Sequence, residues 1–540
     1  MPSTPTTKSQ VQAYRFVLRR MQSALVRKDA VMLHDPMRTH SRATVVGVCL
    51  AGIGLIGFLI WGILSPQAKA PGSDGIVIGK PSGQVYVLIA KPDRKLIPVF
   101  NLASARLLLM AQQQEGSQDQ QGAGGAAPAP GAVKVVAPSV VDDNQLRDIP
   151  KGRKVGIADG PDLLPSADQR IDSVWTVCDQ YLLNKDLNDP ASENKVETTV
   201  IAGVKGLGKL LPQDQSLLVK APDGQTYLVY RTPGTANLPN TSAVRAKVDL
   251  TEPAVRSALD LTGKTPRVIT TGMLNAIPEK AELRPPDIPG RGTNSNIALD
   301  DPDLRKVGSV FKVERAGEET KYYVLLKDGI QLVKQSTADL IRYFDNPGAP
   351  EIKAVNPDRV SGLDDPKVID DSTYPAEATD VLDPGSNPVA CLGWSYTGSG
   401  GNADERTAVY IGDTLPGIST DSKGVPSYVD ISTPSADGVR IDHFFMPPGR
   451  GAVVRQATSR EDFATGQLTL VSDRGVKYGI PDKATADGLG LDNAVPAPEN
   501  IIRLLPNGAS LSVKDVKQSY DSTPFAGGEY PSTTKNSGGG

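Results

Sequence analysis

The chain has 540 residues, 53 of them Gly and 44 Pro, and a formal net charge of −3. At ~150 residues per domain that length predicts several units, and so much Gly and Pro favours short strands and turns over long helical bundles. The charge is unevenly divided: residues 1–42 carry eight Lys/Arg against Asp29 and Asp35, a local +6 that leaves −9 beyond Arg42. An acidic balance with few aromatics gives nucleic-acid binding no support in the larger part.

Near the N-terminus Val11, Tyr14, Leu18, Met21 and Leu25 recur at spacings of three and four, which predicts a helix with one apolar stripe. Arg15, Arg19, Arg20, Arg27 and Lys28 clothe the rest. Residues 1–42 are too few to bury that stripe in a core of their own. They read as a cytoplasmic basic amphipathic helix, lying on membrane lipid or packed on a partner helix.

Residues 43–64, "ATVVGVCLAGIGLIGFLIWGIL", form an uncharged run long enough to cross a hydrocarbon core of ~30 Å as one helix. Arg27, Lys28, Arg38 and Arg42 precede it, so the basic excess predicts a cytoplasmic N-terminus and an external C-terminal region. A cleaved signal peptide ending at Ala68-Lys69-Ala70 is the rival reading. It fits poorly, because the apolar run and the segment before it are both too long.

Cys49 lies in the apolar run, which leaves Cys178 in "WTVCDQ" and Cys391 in "ACLGWS" as the external cysteines. An oxidising exterior favours a bond between them, two separate buried thiols being the alternative. Trp175 precedes Cys178 by three residues and Trp394 follows Cys391 by three, so the two segments could meet in a central layer.

Four stretches place a glycine before a tyrosine-bearing strand pattern, around Tyr86, Tyr227, Tyr322 with Tyr323, and Tyr478. Each is followed by an apolar stretch and a short helical signal: 104–109, 252–261, 336–341 and 482–491. Three units close alike, in "LRDIP", "LNAIP" and "IRLLP". The expected fold is therefore α+β: an amphipathic helix (1–42), a transmembrane helix (43–64), and an elongated external region of four small β-rich repeats around a central β domain. The repeats fall at 75–160, 216–295, 303–365 and 471–520, and the two parts of the central domain at 165–215 and 375–470. Residues 111–131, rich in Gln, Gly and Ala, read as a disordered insertion in the first repeat, and 521–540 as a disordered tail.

Chemistry is sparse. Residues 258–265, from Ala258 to Gly263-Lys264-Thr265, satisfy a loose phosphate-loop pattern, but such a loop must follow a strand and open a helix. Here Ala258 falls within a helical signal and Pro266 follows directly, so Gly263 reads as a helix stop. Residues 203–210 form a second near match, with Leu210 where magnesium needs a hydroxyl. His443 is the one histidine beyond the apolar run and no G-x-S-x-G turn occurs, so a packing histidine is expected. No pattern selects catalytic, cofactor or metal residues.

"TTKSQVQAYRFVLRRMQSALVRKDAVMLHDPMRTHSRA", "GQVYVLIAKPDRKLIPVFNLASARLLL", "WTVC", "GMLNAIPE", "YYVLLKDGI", "CLGW", "FMPPGRGAVV" and "VKYGIPD" extend over nearly the whole chain. Taken together they resemble the EccB family of membrane components of mycobacterial type VII (ESX) secretion systems. The resemblance implies an inner-membrane subunit with a cytoplasmic N-terminus and a periplasmic C-terminal region bridged between positions matching Cys178 and Cys391. It also implies self-association through that region and assembly with the FtsK/SpoIIIE-type ATPase EccC, with EccD and EccE, and with the mycosin protease. The expected function is non-enzymatic scaffolding of the export of small helical substrates. The alternatives are a membrane-anchored peptidoglycan-binding protein and an ATPase using residues 258–265, a label that some family members carry.

Overall fold

The computed structural model describes residues 7–28, 36–64, 71–91, 93–119, 135–183, 195–232, 243–346, 348, 351–398, 404–520 and 524–529. It comprises two units, Met1–Lys69 and Ala70–Gly540. The first holds the helix Lys8–Arg27, opened by a capping box in which the Thr7 amide donates to Gln10 Oε1 at 2.9 Å and closed by Lys28 in the left-handed region. The helix Pro36–Leu64 contains the apolar stretch Arg42–Gly62, which is long enough to span a bilayer.

The second unit mixes sheet and helix. Its first sheet has the strand order Lys95–Pro98, Val85–Ile89, Gly75–Lys80, Ser139–Asp142, with the last strand parallel to Gly75–Lys80 and the rest antiparallel. The helix Leu102–Asp119 leads back to that parallel strand and buries Ala103, Leu107 and Leu108 beneath the sheet. A second sheet repeats this connectivity in Gln215–Lys220, Thr226–Arg231 and Ala243–Lys247, the helix Pro253–Ala258, and Arg267–Val268 returning parallel to Gln215–Lys220. A third has Val310–Val313, Lys321–Leu325 and Ile330–Val333, the helix Gln335–Asp345, and a parallel bridge from Ala354 to Lys312. The fourth orders Lys477–Ile480, Leu468–Ser472, Gly451–Ala457 and Val495–Pro498, with helix Lys483–Leu489 before the returning strand.

The fourth sheet corrects a boundary. Gly451–Ala457 and Leu468–Ser472 belong to it, so it starts some twenty residues before position 471, inside the segment assigned to the central domain. The tyrosine misled the assignment: Tyr86, Tyr227 and Tyr322 lie on the second strand of their sheets, whereas Tyr478 lies on the third. Asp380–Val381 likewise leaves the expected central segment to pair with Gln215–Lys220. Residues 111–119 are helical rather than disordered, with Ala111 buried, because the apolar face of the helix Leu102–Asp119 continues past Leu109. The rest of the expected insertion, 120–131, lies outside the described residues. In the expected tail, Pro524–Glu529 forms a strand on Gln518–Tyr520, which pairs in turn with Lys154–Val155. Residues 530–540 lie outside the described part.

A seven-stranded sheet joins the halves of the chain, in the order Val429–Asp430, His443–Phe445, Val196–Ala202, Val174–Tyr181, Val389–Thr397, Asp404–Gly412, Lys209–Leu210. One face carries Trp175, Val177, Val200 and Val409 and packs against Met273, Leu274, Ile501 and Leu504, so the "LNAIP" and "IRLLP" segments lie together beneath it. Full burial of each such Leu, Ile or Val contributes about 1.5–3 kcal/mol. The first and fourth sheets share one core, in which Leu107 and Leu108 meet Leu470 and Leu489. The second sheet shares another with the helix Gln335–Asp345, through Val255, Leu259 and Leu340.

Candidate scaffold sheet and membrane segment

Antiparallel register places Cys178 opposite Cys391 at a Cα–Cα distance of 4.0 Å, and the structure joins them by a disulfide. Both are almost fully buried, on the face that they share with Val389 and Ile201 and that packs against Leu415. Trp175 stands opposite Trp394 in the same register. An odd spacing of three turns the tryptophans to the other face, so one strand pair anchors two cores.

One residue beyond Cys178, the same strand carries a buried polar joint. Asp179 accepts from the Thr270 amide and hydroxyl, both at 2.7 Å, and from the Thr198 hydroxyl at 2.9 Å. Burial pushes its carboxyl above the ordinary range despite these donors. Arg267, 3% exposed, donates to the carbonyls of Asn387 and Pro388 and stands 5.1 Å from the Tyr181 ring centroid. The Tyr181 hydroxyl donates to the Val268 carbonyl at 3.2 Å. The network therefore ties the central sheet to the strand Arg267–Val268 of the second sheet. Sequence reading missed it; a single Asp inside the apolar run "VWTVCDQY" was the available signal.

His443 lies between two carboxylates, with Nδ1 2.9 Å from Asp430 and Nε2 3.1 Å from Glu197, and stacks on Tyr428 at 3.9 Å. It fastens the short edge strand Val429–Asp430 to the central sheet. Among the described residues no group of three His, Cys, Asp or Glu could hold a metal ion.

Neither glycine-rich stretch has the strand–loop–helix frame of a phosphate cradle. Ala258 ends the helix Pro253–Ala258, Asp260 and Gly263 take positive φ, the Lys264 amide closes a turn on the Leu261 carbonyl, and the strand Arg267–Val268 follows. Gly203 follows the strand Val196–Ala202, but residues 203–210 lead into the exposed strand Lys209–Leu210 rather than a helix.

In the N-terminal unit Val11, Tyr14, Leu18, Met21 and Leu25 share the helix Lys8–Arg27 and are all exposed. Arg27 ends that helix, Lys28 caps it, Arg38 lies in the helix Pro36–Leu64 and Arg42 opens the apolar stretch. The side chains of Arg27 and Arg38 lie outside the described part.

These features define a protein with one candidate membrane span among the described residues and a large mixed sheet-and-helix portion that carries a buried disulfide. The chain belongs to the EccB family: it matches the description "Type VII secretion system ESX-1, transport TM domain B" over residues 3–525. It is 30% identical over 522 residues, 96% of each chain, to the ESX-1 secretion system ATPase EccB1 of Mycolicibacterium smegmatis (strain MKD8). It is also 30% identical over 542 residues to the ESX-2 secretion system ATPase EccB2 of Mycobacterium tuberculosis (strain ATCC 25618 / H37Rv), covering 98% of this chain and 97% of that one. A chain of an intact ESX-5 inner membrane complex has the same fold, with a TM-score of 0.65 at 24% identity, covering 97% of this chain and 98% of that one. The EccB3 dimer from the ESX-3 core complex gives a TM-score of 0.61 at 25% identity, covering 82% of this chain and 99% of its own. EccB proteins are thus components of ESX secretion membrane complexes.

Proposed function

We propose that this chain is a non-enzymatic structural subunit of a type VII (ESX) secretion complex, anchored in the inner membrane by the Arg42–Gly62 segment and scaffolding export of small helical substrates. The observation that carries this reading is the family match across residues 3–525 together with a fold whose cores join segments from distant parts of the chain. On this reading the four sheets with common connectivity are repeats around the central sheet, and the N-terminus is cytoplasmic with Ala70–Gly540 periplasmic. Self-association through that region is supported by a solved relative described as a dimer. The partners are the FtsK/SpoIIIE-type ATPase, the EccD and EccE subunits and the mycosin protease, with the stripe Val11, Tyr14, Leu18, Met21 and Leu25 as the contact on the inner side.

The names of the curated relatives favour a second reading, an ATPase. The helix–turn–strand arrangement around Lys264 weighs against residues 258–265 as its site.

The test is to solubilise native membranes in mild detergent, separate complexes on a non-denaturing gel and identify what migrates with this chain. Scaffolding predicts a very large band containing the FtsK-type ATPase and a multispanning subunit. Migration alone, at monomer or dimer size after crosslinking, overturns it.

A further inference from the structure

The strand Gly451–Ala457 of the fourth sheet changes character along one face. Ala452 and Val454 are buried in the main core, but Gln456, two residues further on, lines a cavity of about 490 Å³ with Asp437, Gln467, Lys477, Glu499 and Arg503. The helix Glu499–Ile502 covers the apolar end of this face and leaves the polar end open. Gly479 forms part of the floor, which keeps side-chain volume out.

Lys477 is the uncommon group in this cavity. It is 9% exposed, and its Nζ donates to the Ile502 carbonyl at 3.2 Å, leaving ammonium hydrogens for another acceptor. A buried ammonium is costly unless a charged or strongly polar partner meets it. Arg503 stands at the rim, with Nε 3.3 Å from Asp437. The Asp437 and Glu499 carboxylates act on Lys477 and offset part of its charge and that of Arg503, so a single carboxylate meets less repulsion in this cavity than a multiply charged anion does. Gln456 is fixed by a 2.7 Å bond from its amide nitrogen to Thr469 Oγ1, and with Gln467 and Asn507 it offers amides that both donate and accept, as peptide groups do. Ile480, Pro481 and Ala436 are the apolar side chains in the lining, which leaves little to read a large side chain.

We propose that this cavity binds the C-terminal end of a peptide with small side chains, its carboxylate on Lys477 flanked by Arg503 and its last peptide groups on Gln456 and Gln467. The volume falls in the range of small-ligand sites. The proposal does not depend on the assembly reading.

The experiment titrates the full chain in detergent with N-acetyl-trialanine carrying a free carboxylate, and with the same peptide amidated, by calorimetry. The expected result is saturable binding of the acid, at least about tenfold weaker binding of the amide, and a comparable loss in Lys477→Met and Arg503→Gln. Arg503 is exposed, so its variant keeps the test usable if Lys477→Met fails to fold. Equal binding of acid and amide, no saturation, wild-type affinity in Arg503→Gln, or displacement of the peptide by equimolar sulfate each overturns the proposal.

Discussion

Trp175 faces Trp394 across the strand pair that carries the disulfide, three residues from Cys178 and Cys391 respectively but on the opposite side of the sheet. The pair therefore remains packed and hydrogen-bonded when the sulfurs are removed. We expect Cys178→Ala/Cys391→Ala to fold and to lose about 2–5 kcal/mol, since the bond closes a separation of 213 residues. Tryptophan fluorescence during urea unfolding checks this, because two of the three tryptophans are in this sheet. An unchanged midpoint would count against the bond as a stabilising tie.

Asp179 gives the fold a pH signature. Its carboxyl is raised by burial, so its favourable contribution is full below the unfolded value of ~3.9 and is lost as pH rises through the higher folded value. We expect Asp179→Asn, whose amide can donate to the Thr198 and Thr270 hydroxyls, to lose less stability than wild type on going from acidic to neutral pH. Parallel melting-temperature profiles for the two proteins would show that Asp179 does not carry this slope. Asp179→Ala, which strands the Thr270 amide, should cost about 1–3 kcal/mol at acidic pH and less at neutral pH, where wild type has lost part of the Asp179 contribution.

Gly466 lies where an added Cβ would press on the Gln456 carbonyl oxygen, a backbone atom that cannot swing aside. Gly466→Ala should therefore destabilise the fourth sheet by about 1–3 kcal/mol. A thermal shift no larger than that of an alanine at the open position Gly206, which has no positive φ, contradicts this.

Lys264 follows a turn glycine and precedes a strand, with no helix start to hold phosphate. Lys264→Ala should leave any magnesium-dependent ATP binding by the solubilised complex unchanged. Saturable binding that disappears in the variant would restore residues 258–265 as a nucleotide site.

If the exposed stripe is a partner surface, Leu18→Glu with Met21→Glu removes the protein from the large band on a native gel while leaving it in the membrane. Lipid contact alone predicts unchanged assembly.

Local patterns exposed much of this architecture. The alternation around Tyr86, Tyr227 and Tyr322 located three strands, and the uncharged run 43–64 stood out by length alone. The Trp–Cys spacings were legible too, since in an antiparallel pair mirrored offsets are what the register produces. What stayed hidden depends on distance. Nothing near Gly451 says that its strand partners Leu468–Ser472 rather than the central sheet, and nothing near Arg267 says that its guanidinium will close over Tyr181, 86 residues earlier in sequence. Nothing near Lys477 says that the helix Glu499–Ile502 will supply the carbonyl that its ammonium meets.

The Arg106 guanidinium donates to the Leu489 carbonyl, a contact spanning 383 residues, within the core shared by the first and fourth sheets. During synthesis the first sheet thus emerges with Leu470, Ile480 and Leu489 of its shared core still unmade, and must wait exposed while the intervening segments fold. Truncation near the C-terminus accordingly damages the region nearest the N-terminal end of the sheet portion. Completion of the fourth sheet, from Gly451 to Pro498, is the step that closes the core of the first.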